Sequence, residues 1–141
     1  MARILIALDG SPASLRALEF GASLAAKLGV GLHLLHVMPQ VVLPVGGMGP
    51  GALSELQHSL QAEGTRLLAA LADKARSHGV AVETELGVGN AAIAIADRSE
   101  AEDIQLVVMG SRGQGTVARL LLGSVATEVV HTATKPVVVV R

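Results

Sequence analysis

Short apolar runs alternate with longer segments of helical periodicity along the chain, and this alternation limits the folds it can adopt. Ile4 to Leu8 is a continuous apolar run, which is typical of a strand covered on both faces. The next segment is predicted to be a helix that is capped by Ser11, has Pro12 in its first turn and ends at Gly29. A strand, a helix and another strand in this order predict a parallel sheet with right-handed crossovers.

The same alternation continues to the end of the chain. The remaining predicted strands are Gly31 to Val37, Val80 to Leu86, Gln105 to Met109 and Val137 to Val140. Helices are predicted from Leu53 to Gly79, from Ala91 to Ala101 and from Val117 to Ala133, the last interrupted at Gly123. Because 141 residues favour one domain, we predict a single domain over residues 1–141. Its fold class is α/β, a doubly wound, five-stranded parallel sheet with helices on both faces.

Charge and composition exclude several classes of function. Eleven basic and twelve acidic side chains give a net charge of -1, which argues against binding to a nucleic-acid backbone. Phe20 is the single aromatic residue, so stacking platforms for bases are missing as well. With no cysteine, thiolate catalysis and cysteine metal sites are excluded. No apolar run approaches the ~20 residues that span a bilayer, so we expect no membrane partner and a cytoplasmic protein.

Residues that follow the strands are the candidates for a binding site, because open α/β sheets bind ligands beyond the carboxyl ends of their strands. After the fourth predicted strand, the turn Gly110 to Gly115 is rich in glycine, which lets backbone amides approach an anion closely. Arg112 adds a guanidinium suited to phosphate, and Ser124 is predicted to cap the last helical segment. A phosphate cradle and a plain strand-to-helix turn both fit this pattern, and we favour the cradle.

The spacing of glycines around this turn resembles the nucleotide-binding signature of ATP-binding universal stress proteins. In this chain the signature is Gly110-x-x-Gly113, nine residues and then Gly123-Ser124. The similarity extends over the whole chain and includes the segments Ile4 to Ser11, Val107 to Gly113, Leu120 to Ala126 and Lys135 to Val140. The resemblance implies the Rossmann-like fold of the adenine nucleotide alpha hydrolase-like proteins. Two positions depart from the family pattern, namely Gln105 and the turn Gly89-Asn90-Ala91, and both lie outside the signature.

The resemblance also implies where ATP, with Mg or Mn, would bind. Base and ribose would contact the end of the first strand at Ala7, Leu8 and Asp9, and adenine would pack on Val37. The phosphates would contact Met109, Gly110, Arg112, Gly113, Gly123, Ser124 and Val125. Family members pair their last strands, so a homodimer through Val137 to Val140 is expected.

Several other sites are disfavoured by the residues themselves. The stretch Gly87 to Ala92 matches a dinucleotide fingerprint but lacks the acidic residue that would hold the ribose, so we interpret it as a helix-entry turn. His33 and His36 are three positions apart on a strand and therefore point to opposite faces, which excludes a shared metal ion. No Walker sequence is present, and neither Ser111 nor Ser124 has an obvious histidine base.

The expected function is therefore an ATP-binding, dimeric stress or regulatory module without efficient catalysis. One alternative is a module that binds no nucleotide and acts through dimerisation or partner contacts, and another is a slow ATP hydrolase. The long Gly- and Pro-rich connection Met38 to Ala52 is either a segment that covers the ligand or a surface loop with no role.

Overall fold

Strands and helices alternate throughout the computed structural model, which describes residues 1–41, 49–112 and 122–141. The strands are β1 Arg3–Ala7, β2 Gly31–Met38, β3 Val82–Val88, β4 Ile104–Gly110 and β5 Val137–Val140. The helices are α1 Pro12–Leu28, α2 Pro50–Arg76, α3 Ala91–Ser99 and α4 Ser124–Thr132. All strand pairs are parallel, in the order β3-β2-β1-β4-β5. The predicted α/β fold with a doubly wound, five-stranded sheet is thereby confirmed.

Some element boundaries differ from the prediction. Strand β3 begins at Val82 rather than Val80, because the chain is still leaving the turn at residues 77–79 that closes α2, and residues 80 and 81 connect this turn to the strand. The connection between β2 and α2 is shorter than predicted, since β2 includes Met38 and α2 already begins at Pro50. Residues 42–48 of that connection, residues 113–115 of the glycine-rich turn and residues 117–121 of the predicted last helix lie outside the described residues.

Helices cover both faces of the sheet, and alternate residues of β1 supply the two cores. Ile4 and Ile6 pack with α1 and α2 on one face, whereas Leu5 packs with α3 and α4 on the other, and all three are fully buried. A small residue allows close packing of α1 on β1. A Cβ added at Gly21 of α1 would lie 2.5 Å from Cδ1 of Ile6. Helix α1 therefore approaches the sheet closely, as far as the end of β4, where Gly110 meets the backbone of Ala13.

The chain reverses its direction of winding between β1 and β4. From β1 the chain winds outward through β2 to β3, and it then crosses to β4 and β5 on the other side of β1. A doubly wound sheet opens a crevice at the carboxyl ends of the strands where this reversal occurs. Among the described residues, no helix has the length and apolar content needed to cross a membrane.

Candidate functional site

A cavity of about 520 Å³ opens at the carboxyl ends of β1, β2 and β4, where the winding reverses. This volume is within the usual range of small-molecule sites. Every predicted site residue that the structure describes lines it, namely Ala7, Leu8, Asp9, Val37, Met109, Gly110, Arg112, Gly123, Ser124 and Val125. Gly113, which was also predicted, lies outside the described residues.

One wall of the cavity is apolar and lies between β2 and α3. Leu35 and Val37 of β2, together with Ala91 and Ile95 of α3, line this wall. Neither α3 residue was among the predicted site residues. On α3, Ile93 and Ile95 lie on different faces, so Ile93 is 59% exposed whereas Ile95 is 3% exposed.

The opposite end of the cavity is formed by backbone. The amide of Ser111 donates to the carbonyl of Val140 at 2.7 Å, and the carbonyl of Ser111 accepts from the amide of Gly123 at 2.7 Å. These bonds fix the end of β4 against the start of α4. Arg112, Ser124 and the first turn of α4 therefore face the same space.

Ser124 does not cap α4, which corrects the prediction. Gly123 is the capping residue, with extended backbone angles and no side-chain capping bond, and its carbonyl accepts from the Thr127 amide at 3.0 Å. Ser124 is already inside the helix, because the helix begins one residue earlier than the predicted cap requires. With no capping side chain, the first amides of α4 can donate to an anion in the cavity.

The turn after β1 is held by its own side chains. The carboxylate of Asp9 accepts from the amide of Ser11 at 2.8 Å, and Gly10 adopts a φ of 82°, which favours glycine. Ser11 caps α1 as predicted, because its hydroxyl accepts from the amide of Ser14 at 3.2 Å. Asp9 is thereby held at the cavity wall.

Histidines and carboxylates of the described residues do not form a protein-only metal cage. His33 contacts Glu85 at 3.2 Å, whereas Nδ1 of His36 lies 2.7 Å from the carbonyl oxygen of Leu8, so the two rings contact different partners. In the parts of the chain that the structure describes, no three His, Asp or Glu side chains are grouped as a metal site. Mg²⁺ is commonly held by one or two carboxylates together with substrate phosphates, and Asp9 fits that role.

A second group of polar side chains, which we call the charge cluster, lies across β1, β2 and β3 on the face covered by α3. Its members are Arg3, His33, Glu83, Glu85, Arg98 and Asp103. Arg98 donates to both carboxylate oxygens of Glu85. Burial opposes ionisation of Glu85, but the hydrogen bonds from Arg98 and His33 outweigh it and hold its pKa below the usual value. The hydrogen bond from Arg3 similarly lowers the pKa of Asp103.

Comparison with known proteins identifies the family. Residues 1–141 match the sequence profile of the Universal stress protein family. The chain belongs to this family. It is 30% identical over 145 residues to the universal stress protein YxiE of Bacillus subtilis, and the match covers 99% of this chain and 98% of the relative.

Solved universal stress proteins share the fold. One from Archaeoglobus fulgidus in complex with dAMP has 25% identity and a TM-score of 0.69, with 100% of this chain and 98% of that chain covered. Another universal stress protein, in complex with cAMP, has 25% identity and a TM-score of 0.72, with 99% and 96% covered.

Proposed function

We propose that this universal stress protein binds an adenine nucleotide, ATP by preference, in the cavity at the carboxyl end of the sheet. The observation that carries the proposal is that residues from the ends of three strands and from the start of α4, predicted as one site, line a single cavity. Two relatives of similar fold were solved with dAMP and with cAMP, which are both adenine nucleotides.

The two ends of the cavity suggest how the nucleotide lies in it. Adenine packs against the apolar wall at Val37, and the ribose hydroxyls donate to Asp9, since a carboxylate is a strong acceptor for them. The phosphates lie between Gly110, Arg112 and the uncapped first turn of α4, where amides and a guanidinium favour negative charge. Asp9 would be the protein ligand of Mg or Mn bound together with the phosphates.

We propose binding rather than rapid turnover as the activity of this site. Asp9 is the carboxylate among the described lining residues, and its Oδ1 already accepts from the Ser11 amide. Phosphoryl transfer to water needs a group that positions the attacking water, in addition to those that hold the phosphates. The bound nucleotide then acts by stabilising one state of the protein, which mass action guarantees for any ligand of the native state. We propose the cytoplasm, where ATP is produced and consumed, as its location.

We propose, further, a homodimer that pairs the β5 strands of two copies. Strand β5 forms one edge of the sheet and pairs with β4 on one side. The carbonyl of Val140 accepts from Ser111 on the β4 side, so the backbone groups of its neighbour Val139 face the open edge. An edge of unpaired amides and carbonyls is a template for another strand.

The substitution Val139→Pro tests this dimer. It removes an outward-facing amide and leaves the β4 ladder intact, since proline is tolerated at such edge positions. Sedimentation analysis should show a dimer for the wild-type protein and a monomer for the variant, with Val139→Thr as the control that keeps the amide. A monomeric wild-type protein at high concentration contradicts the dimer.

The nucleotide proposal is tested by identifying the small molecules that leave the protein on denaturation. Mass spectrometry of freshly purified protein should detect an adenine nucleotide, and calorimetry should show that ATP binds to protein from which it has been removed. Absence of both signals would favour the alternative of a module that works through protein contacts alone. Multiple turnovers that are lost in Asp9→Ala would favour the hydrolase instead.

A further inference from the structure

We propose that His36 and Ser14 are positioning residues that fix the amide between Leu8 and Asp9 and thereby direct the Asp9 carboxylate at the ribose. The inference rests on the nucleotide binding proposed above and assigns two residues of that site that the sequence analysis did not select. Both residues line the cavity.

The amide that joins Leu8 to Asp9 is held at both of its ends. Its oxygen, the carbonyl of Leu8, lies 2.7 Å from Nδ1 of His36. A carbonyl oxygen only accepts, so Nδ1 carries the proton in this contact. At the other end, the amide N–H of Asp9 donates to Oγ of Ser14 at 3.4 Å. Two side chains from different elements, β2 and α1, therefore determine the orientation of one peptide plane.

The side chain of His36 binds the backbone just beyond the end of the ladder between β1 and β2. The amide of Leu8 donates to the carbonyl of Leu35 at 2.9 Å, as in the strand ladder. The carbonyl of Leu8 instead accepts from the imidazole of His36. The ring is held from behind by α2, which approaches closely at Gly64. A Cβ at Gly64 would lie 3.3 Å from Cδ2 of His36, so the glycine lets α2 pack close to the ring.

Ser14 is equally constrained. It is 3% exposed, and its hydroxyl donates to the carbonyl of Ser11 at 3.0 Å. A hydroxyl has a single proton, so the contact with the Asp9 amide uses an oxygen lone pair. The serine thus joins the capped start of α1 to the amide that precedes Asp9.

The direction of the Asp9 carboxylate depends on this amide. Asp9 lies between the fixed peptide plane and Gly10, whose φ of 82° makes the turn, and its Oδ1 accepts from the Ser11 amide at 2.8 Å. Rotation of the Leu8–Asp9 amide would move the carboxylate relative to the cavity. A hydrogen bond to a carboxylate needs a short distance and a favourable angle, so ribose binding would weaken.

The test compares two ligands on matched variants by calorimetry. The ligands are AMP and 2′,3′-dideoxy-AMP, which lacks the ribose hydroxyls that Asp9 would bind. His36→Leu removes the donor at similar volume, whereas His36→Asn keeps an N–H at the δ position. His58→Asn, on an exposed turn of α2, is the control for a histidine elsewhere, and Ser14→Ala is a second variant should His36→Leu fold poorly.

We expect wild-type protein to bind AMP about 10-fold or more tightly than the dideoxy ligand, the usual effect of losing a charge-assisted hydrogen bond. His36→Leu and Ser14→Ala should lose most of this ratio, chiefly through weaker AMP binding, while His36→Asn and His58→Asn keep it. Equal loss of affinity for both ligands in His36→Leu and Ser14→Ala would show a merely structural role and overturn the inference, as would an unchanged ratio. A wild-type ratio near one would overturn it too. Wild-type protein that binds neither ligand would instead overturn the proposed function itself.

Discussion

The two ends of the β-sheet use polar side chains in different ways. In the charge cluster, near the amino ends of β1 and β4, Arg3 contacts Glu83 at 2.7 Å and Asp103 at 2.5 Å, so charged side chains neutralise one another. At the carboxyl end, polar side chains bind mainly backbone, as Asp9 does with the Ser11 amide and His36 with the Leu8 carbonyl. The ion pairs of the charge cluster stabilise the sheet without any ligand. The contacts at the carboxyl end shape turns around a cavity and keep Arg112 and the α4 amides facing it.

This difference predicts that substitutions at the two ends affect different measurements. Changes in the charge cluster should alter the free energy of unfolding, and its dependence on pH, without altering ligand affinity. Changes in the polar groups of the cavity should alter affinity with little effect on unfolding. The exception is a position where the cavity wall is also a close packing contact.

Gly110 is such a position and gives the largest expected effect. A Cβ there would lie 2.8 Å from the backbone carbon of Ala13 and 2.9 Å from the Ser14 nitrogen, neither of which can move independently. Gly110→Ala should therefore lower the free energy of unfolding by about 3 kcal/mol in urea titrations. Gly87→Ala is the control, because its Cβ would meet Val37 at an ordinary 3.6 Å. Equal stability of the two variants would contradict the close packing of α1 on β4.

Arg112→Ala should give the next largest effect, on affinity alone. Loss of a guanidinium contact to phosphate costs about 1.5–3 kcal/mol, so ATP should bind about 10- to 100-fold more weakly by calorimetry. The melting temperature without ligand should stay at the wild-type value, and Arg66→Ala on the exposed face of α2 should change neither quantity. Unchanged ATP binding in Arg112→Ala would remove this residue from the phosphate site.

Glu85→Gln should lower stability by about 1 kcal/mol at pH 7, because Arg98 loses an ionised partner. The pKa of Glu85 is lowered in the folded protein, so its contribution is fully present above the pKa of unfolded glutamate, about 4.3. That contribution is lost as the pH falls through the lower folded-state pKa.

The difference in unfolding free energy between wild-type protein and Glu85→Gln should therefore shrink in acid, as urea titrations from pH 7 down to pH 3 would show. ATP affinity at pH 7 should not change. A difference that grows in acid would contradict the role assigned to the charge cluster.

The smallest expected effect is a difference in stability between variants at the starts of α3 and α4. Asn90 caps α3, since its side chain accepts from the Ile93 amide at 3.0 Å, so Asn90→Ala should cost about 1 kcal/mol. Ser124 caps nothing, and Ser124→Ala should cost less than about 0.5 kcal/mol. Thermal unfolding of the two variants measures the difference. A larger loss in Ser124→Ala would restore Ser124 as a capping residue.

The sequence predicted the features that depend on local pattern. Apolar runs and helical periods identified the α/β order, and the cap at Ser11 followed from its place before Pro12. The positions after the strands predicted at which edge of the sheet a site would lie, because parallel strands bring their carboxyl ends together, and the family resemblance supplied the individual lining residues. Ser124 was assigned wrongly because a cap depends on the exact turn at which a helix begins, which composition does not fix.

Contacts between distant residues could not be predicted in the same way. The role of His36 depends on the register that places it beside Leu8, 28 residues away in sequence. The charge cluster joins Arg3 to Asp103, which are 100 residues apart, through the pairing of β1 with β4. No periodicity in the chain specifies these registers, and they follow only from the folded sheet.

We propose a nucleotide site at the carboxyl end of the sheet, and not at the charge cluster. Titrating isotopically labelled protein with ATP and recording backbone amide shifts tests it most directly. We expect saturable shifts at Leu8, Asp9, Val37, Arg112 and Ser124, with none at Arg3, Glu83 or Asp103. Saturable shifts confined to the charge cluster, or no saturable shift at millimolar ATP, would contradict it.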